Sequence, residues 1–200
     1  MGVAAVLAVA GCAALQQDSS SATMAKPGVA YGKPISAAEL ASWDIDIRTP
    51  DGKGMPPGKG SVADGKTIFD AKCASCHGAE AKGGPWYGPM VGGIGSMTTN
   101  RRVLTPGSMY PYAPILFDYI RRAMPMGAAQ TLTNDEVYAI SAYILSLNGL
   151  IPTDAVMDAQ SLTAVKMPNR DGFIKDDRPD VAAVRCMANC PPIGKVAPPQ

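Results

Sequence analysis

The chain has 200 residues, 46% of them hydrophobic, and a formal net charge of +1. That is room for one domain of ordinary size with extensions, and with no basic run in the chain no nucleic-acid partner is expected. Gly (21) and Pro (18) are numerous while aromatics stand at only 6%, so a modest helical unit among long irregular segments is expected.

The first ten residues are apolar but too few to span a bilayer. Leu7-Ala8-Val9-Ala10-Gly11-Cys12 has the form of a bacterial lipobox, in which Cys12 becomes the lipidated first residue. Ala8-Val9-Ala10 equally satisfies the small-residue rule for ordinary signal cleavage, which releases the chain instead. The lipobox is the preferred reading, although the segment lacks a basic n-region. Both routes treat residues 1–11 as a signal peptide and export the protein. A periplasmic location follows, with the membrane reached only through a lipid on Cys12.

Residues 12–60 read as a polar tether and an extended arm. Asp18-Ser19-Ser20-Ser21 is flexible in character, and the Pro/Gly cluster Gly54-Met55-Pro56-Pro57-Gly58 argues for extended chain over a strand at Ile45 and Ile47. Residues 61–76 then carry Gly65, Ile68, Phe69 and Cys73 at helical spacing. Residues 85–96 are Gly-rich and turn-like. Pro114 opens a second helix running to Ala123, at the first-turn position where a missing amide costs nothing. Thr133-Asn134-Asp135-Glu136 is a capping box. It opens a third helix to about Leu147, with Val137, Ile140, Ile144 and Leu147 on one stripe and Asn148-Gly149 as its stop. Residues 151–200 show no long periodic run and read as an irregular C-terminal arm.

Cys73-Ala74-Ser75-Cys76-His77 is the strongest chemical signal, and His77 is the only histidine of the chain. C-x-x-C-H is the attachment signature of c-type haem. One helical turn carries the two sulfurs to neighbouring edges of the porphyrin, and the imidazole one residue later points at the iron. A zinc ribbon needs a second C-x-x-C and a thioredoxin-like pair needs no histidine there, so haem is preferred. One motif means one haem. An iron held by His77 wants a sixth ligand, and Met is the natural candidate in a chain with 11. Met124 and Met126 lie in a loop between two helices, and Met167-Pro168 falls after the last. Met also serves commonly as core filler.

The order of helix, C-x-x-C-H, Met-containing loop and final helix resembles class I cytochrome c. The resemblance implies an all-α fold around one covalent haem over residues 61–150, with long irregular N- and C-terminal extensions. It implies that Gly65 and Phe69 on the first helix cross Ile140 and Tyr143 on the last. Gly88-Pro89-Met90-Val91-Gly92 resembles the segment whose proline carbonyl accepts the proximal histidine's N–H, which gives Pro89 that role. The family's distal Met commonly precedes Pro, which favours Met124 with Met126 as competitor.

Trp43-Asp44-Ile45-Asp46-Ile47-Arg48, Leu116 to Pro125 and Met167 to Phe173 are further similar to the monohaem cytochrome subunit of sulfur (sulfite) dehydrogenase in the bacterial Sox thiosulfate-oxidising system. That resemblance implies an electron-accepting partner of a molybdenum-cofactor subunit, passing electrons to a downstream cytochrome c or oxidase and breaking no substrate bond itself. A free-standing, lipid-anchored carrier feeding a terminal oxidase is the alternative. Haem-centred sulfur chemistry would want a cysteine near the distal loop, and only Cys186 and Cys190 remain. Their i, i+4 spacing suits a disulfide that clips the tail, with a redox-active dithiol as the other reading. Arg121 and Arg122 are read as propionate partners, a partner-facing pair or a solvated face. Trp86 and Tyr87 are read as packing on the porphyrin edge or in the core.

Overall fold

The computed structural model describes residues 32–176, in two compact units that divide after Leu40. Cys12, Cys186 and Cys190, the expected lipid and disulfide positions, lie outside the described residues.

Helix α1 (Ala37–Trp43) falls in the stretch expected to be extended. Ser36 and Glu39 explain it. The Ser36 N–H donates to the Glu39 carboxylate at 2.7 Å, and the Glu39 N–H donates back to the Ser36 hydroxyl at 3.2 Å. This is a capping box that starts a helix without help from a core, and none of the residues of α1 is buried.

From Lys59 the chain forms strand β1 (Lys59–Ser61) and helix α2 (Val62–Lys72), with the Ser61 hydroxyl accepting the Asp64 N–H at 3.0 Å as N-cap. The single helix expected to run through Cys76 is two. Cys73 leaves helical geometry at φ −122°, and α3 (Ala74–His77) restarts as one further turn. Helices α4 (Pro106–Met109) and α5 (Pro114–Ala123) follow, and α5 begins on its proline as expected. Helix α6 (Asn134–Leu147) opens on the Thr133–Glu136 box and closes at Asn148. Its burial is wider than one stripe: every residue from Val137 to Leu145 is buried. A helix covered all round is a central element.

The irregular arm expected from residue 151 is structured in its first part. Strand β2 (Val156–Asp158) pairs antiparallel with β1, Gly60 opposite Met157, and α7 (Ala159–Ala164) follows on an Asp158–Ser161 capping box. Met157, Leu162, Val165 and Met167 join the hydrophobic core. Three-residue strands are too short to show alternation, and these apolar residues have no common period. The fold is therefore the expected helical one, with a small two-stranded ribbon added.

The crossing of α2 on α6 organises the core. A Cβ at Gly65 would fall on the Ala139 carbonyl oxygen and 2.9 Å from the Tyr143 Cβ, and one at Gly60 would fall on the Ala139 backbone. Close approach of this kind is what glycine allows. It brings Phe69 against Tyr143, ring centroids 5.5 Å apart, while Phe117 meets Tyr138 at 4.4 Å. The Tyr138 hydroxyl donates to the Pro56 carbonyl at 2.7 Å, which ties the Pro/Gly segment down. Lys72 Nζ pairs with Glu136 Oε1 at 2.5 Å, joining the end of α2 to the cap of α6. Among the described residues no helix is long and apolar enough to cross a membrane.

Two outcomes follow from this crossing. Gly65→Ala should cost about 3 kcal/mol, the upper range for overpacking, read as a lower denaturant midpoint in urea. Glu136 is held below its ordinary value of 4.5, first by the Lys72 hydrogen bond and then by the Thr133 N–H. A lowered carboxyl pKa stabilises above the unfolded value and loses that contribution as pH falls through the folded one. Glu136→Gln should therefore cost about 1 kcal/mol at neutral pH. The gap in melting temperature to the unaltered protein should close as the pH falls below 4.5.

Candidate haem site

The pieces of the attachment motif are placed by local backbone geometry. The Cys73 N–H still donates to the Phe69 carbonyl at 2.8 Å, so the residue stays at the end of α2 while its own φ turns the chain into α3. Gly78 ends α3 at φ +74°, where a Cβ would fall on the Gly83 carbonyl oxygen, and the His77 carbonyl accepts the Gly83 N–H at 2.9 Å. The chain thus doubles back directly after the histidine.

Cys73, Cys76 and His77 line one cavity of about 390 Å³. Phe69 from α2, Leu116 and Ile120 from α5, and Ile140 and Ile144 from α6 give it apolar walls. Pro89 and Met90 come from the Gly-rich segment, Met124 and Met126 from the loop after α5. Four of the expected site residues, Cys73, Cys76, His77 and Met124, therefore meet in one place with Pro89.

The chemistry of the donors follows from burial. Burial pushes the Cys73 thiol up to about 11, which keeps it protonated and unlike the activated thiolate of a redox dithiol. Burial lowers His77, which keeps the imidazole neutral and able to coordinate through nitrogen. Among the described residues no group of three or more His, Cys, Asp or Glu side chains gathers into a metal cage. Two thiols, one neutral imidazole and methionine thioethers inside apolar walls fit a haem iron and give a hard cation nothing to bind.

Pro89 lines the cavity, and among the described residues the buried His77 Nδ1 has no hydrogen-bond partner, so the expected bond to the Pro89 carbonyl is not present in this geometry. The imidazole instead packs on the Tyr87 ring, centroids 5.4 Å apart at 33°.

The methionines separate by environment. Met124 is the C-cap of α5 in extended geometry, its N–H donating to the Ile120 carbonyl at 3.0 Å, and it packs partly buried against the core. Met126 is 65% exposed and its Sδ accepts the Tyr87 hydroxyl at 3.1 Å. Met167 is buried in the core and does not line the cavity, so it is packing. Arg121 and Arg122 do not line the cavity either. Arg122 pairs with Asp118 at 2.9 Å and Asp46 at 3.2 Å and donates to the Ile45 carbonyl, holding residues 45–46 on α5. Tyr87 does line the cavity, while Trp86 is exposed and belongs to no core.

Asn148 matters more than its reading as a helix stop. Its Nδ2 donates to the Met90 carbonyl at 3.0 Å and the Ile144 carbonyl at 2.8 Å, and its Oδ1 accepts the Gly92 N–H at 3.1 Å. One side chain at the end of α6 thereby fixes the segment that carries Pro89. The sequence signal was an Asn, rather than a Lys or Arg, in a buried last turn; nothing local pointed to residues 90–92.

Comparison with known proteins agrees with this geometry. The family model for cytochrome c matches residues 62–148. The crystal structure of the sulfane dehydrogenase SoxCD from Paracoccus pantotrophus contains a chain 39% identical in sequence, with a TM-score of 0.69 over 85% of this chain and 86% of that one. The chain carries a cytochrome c domain over residues 62–148. It is a class I c-type electron-transfer haem protein, and its single attachment motif means one covalent haem c. Thiosulfate dehydrogenase of Allochromatium vinosum is 24% identical over 128 residues, covering 60% of this chain and 39% of that protein. The cytochrome c subunit of the cytochrome bc1 complex of Mycobacterium leprae is 34% identical over 99 residues, 46% of this chain and 28% of that protein. The chain thus spans well under half the length of these two curated relatives. Cytochrome c-554(547) of Halothiobacillus neapolitanus is 48% identical over 46 residues, 23% of this chain and 45% of that protein.

Asn148→Ala leaves the Met90 carbonyl and the Gly92 N–H of this cytochrome to find new partners, while the Ile144 carbonyl keeps the backbone N–H of residue 148. It should cost about 3 kcal/mol, and hydrogen exchange at the Gly92 amide should quicken well beyond the change elsewhere in the core.

Proposed function

We propose that this cytochrome is the monohaem electron-accepting subunit of a periplasmic dehydrogenase acting on reduced sulfur. The observation that carries the reading is the 39% identity to a chain of SoxCD sustained over 86% of that chain, which reaches past the haem domain into the flanking segments. The similarity to thiosulfate dehydrogenase supports the same substrate chemistry.

In this reading Cys73 and Cys76 would hold the haem through thioethers, and His77 and Met124 would be the residues that ligate its iron. The haem supplies one-electron Fe(III)/Fe(II) cycling when bound. The chain's own residues do the rest. The apolar walls from α2, α5 and α6 exclude water, which limits solvent reorganisation around the changing charge. With His77 and Met124 both bound to it, the iron would have no open position for a substrate, and the chain would move electrons without breaking a substrate bond. The donor is a molybdenum-cofactor sulfur or sulfite dehydrogenase subunit, and the acceptor a downstream cytochrome c or oxidase. The segments outside the haem domain, including α1 with its exposed Leu40 and Trp43, are the parts available to engage the donor. Export through residues 1–11 places the protein in the periplasm, with Cys12 as lipid attachment point and Cys186–Cys190 as a disulfide clip.

A free-standing carrier feeding a terminal oxidase is the second reading, favoured by the match to cytochrome c-554(547). Gentle isolation of the native protein, followed by metal analysis and mass spectrometry, separates the two. The first reading predicts a complex that carries molybdenum together with iron and reduces its haem when given sulfite or a sulfane sulfur compound. A monomer with iron alone, inert to those reductants, overturns it.

A further inference from the structure

We propose that Tyr87 is a positioning residue that selects Met124 over Met126 as the iron's sixth ligand; this rests on the ligand set proposed above. Two thioethers two residues apart, Met124 and Met126, line the same cavity as His77. Both have the chemistry of a distal ligand, and nothing in their shared loop sequence prevents exchange.

Tyr87 breaks the degeneracy. Its hydroxyl donates to Met126 Sδ at 3.1 Å, and its ring packs on the His77 imidazole at 5.4 Å. The Tyr87 carbonyl accepts the Gly84 N–H at 2.9 Å, which fixes the backbone from which the side chain reaches. One side chain therefore touches the proximal ring and the competing thioether together. A sulfur lone pair engaged by an O–H donor is a poorer electron donor to a metal, and the bond also holds Met126 at the solvent-exposed rim. Among the described residues the Met124 sulfur has no such donor, and the side chain is packed against the core. Its backbone is anchored to α5 through the Ile120 carbonyl. The contact thus withholds one ligand and leaves the other.

The test is proton NMR of the reduced, haem-loaded full chain labelled at the methionine ε-methyl groups, where the ligating methyl is carried far upfield by the porphyrin ring current. Tyr87→Phe keeps the ring and removes only the hydroxyl. It should give two upfield methyl signals, from Met124 and Met126, where the unaltered protein gives one. Tyr87→Phe combined with Met126→Leu should restore a single signal, which assigns the second one to Met126; a merely structural role for Tyr87 would not bring the Met126 methyl upfield in the single variant. A single Met124 signal in Tyr87→Phe, or two populations persisting in the double variant, overturns the proposal. Should Tyr87→Phe fail to load haem, the unaltered protein still decides. Its Met126 methyl must lie outside the upfield region and show a nuclear Overhauser contact to the Tyr87 ring, and absence of that contact overturns the proposal. Met124→Leu tests the underlying ligand assignment separately: an unchanged upfield signal in that variant removes Met124 as ligand.

Discussion

The close approach of α2 and α6 at Gly65 is the constraint on which the rest of the structure depends. Packing a glycine against the Ala139 carbonyl and Tyr143 Cβ sets how near the two helices lie. That distance fixes where Phe69, one turn further along α2, meets Tyr143 and where Cys73 begins the attachment turn. Because α6 is buried on all sides from Val137 to Leu145, it cannot shift to accommodate a larger residue. The haem cavity inherits its walls from both helices, so the geometry of the cofactor site is settled by a backbone contact outside it.

The loops around the helical frame have little regular structure of their own, and each is tied to that frame by a few hydrogen bonds. Asn148 holds residues 90–92 from the end of α6. Thr105 donates to the Gly92 carbonyl at 2.7 Å while its own N–H donates to Ser108, locking the same loop from the other direction. Arg122 holds residues 45–46 on α5. Met124 is held as the last residue that α5 can hydrogen bond. The loops are thus held by satisfied polar groups together with the apolar packing of Ile47, Met90, Val91 and Met124 against the core.

The parts of this arrangement that were legible in the sequence are those specified within a few residues. The Thr133–Glu136 box, the proline that opens α5 and the C-x-x-C-H run each act locally, and each element stands where the residues placed it. The first helix was legible in position but not in its break, because Cys73 departs from helical geometry to meet the needs of the turn after it. The ribbon of β1 and β2 was not legible: it joins residues about 100 positions apart through strands of three residues with a glycine in one of them. The core role of Leu162 and Met167 was hidden for the same reason. Ser36–Glu39 was legible in principle, a capping box masked by the expectation of an extended arm. The link between Tyr87 and Met126 crosses 39 residues, and no sequence pattern announces it.

The central claim is that this cavity would hold one covalent haem whose iron is ligated by both His77 and a methionine, with no open position. The absorption spectrum of the oxidised, purified full-length protein tests it most directly. A low-spin ferric spectrum with the weak charge-transfer band of methionine sulfur bound to iron is the predicted result. A high-spin ferric spectrum, the mark of an open sixth position, would contradict it.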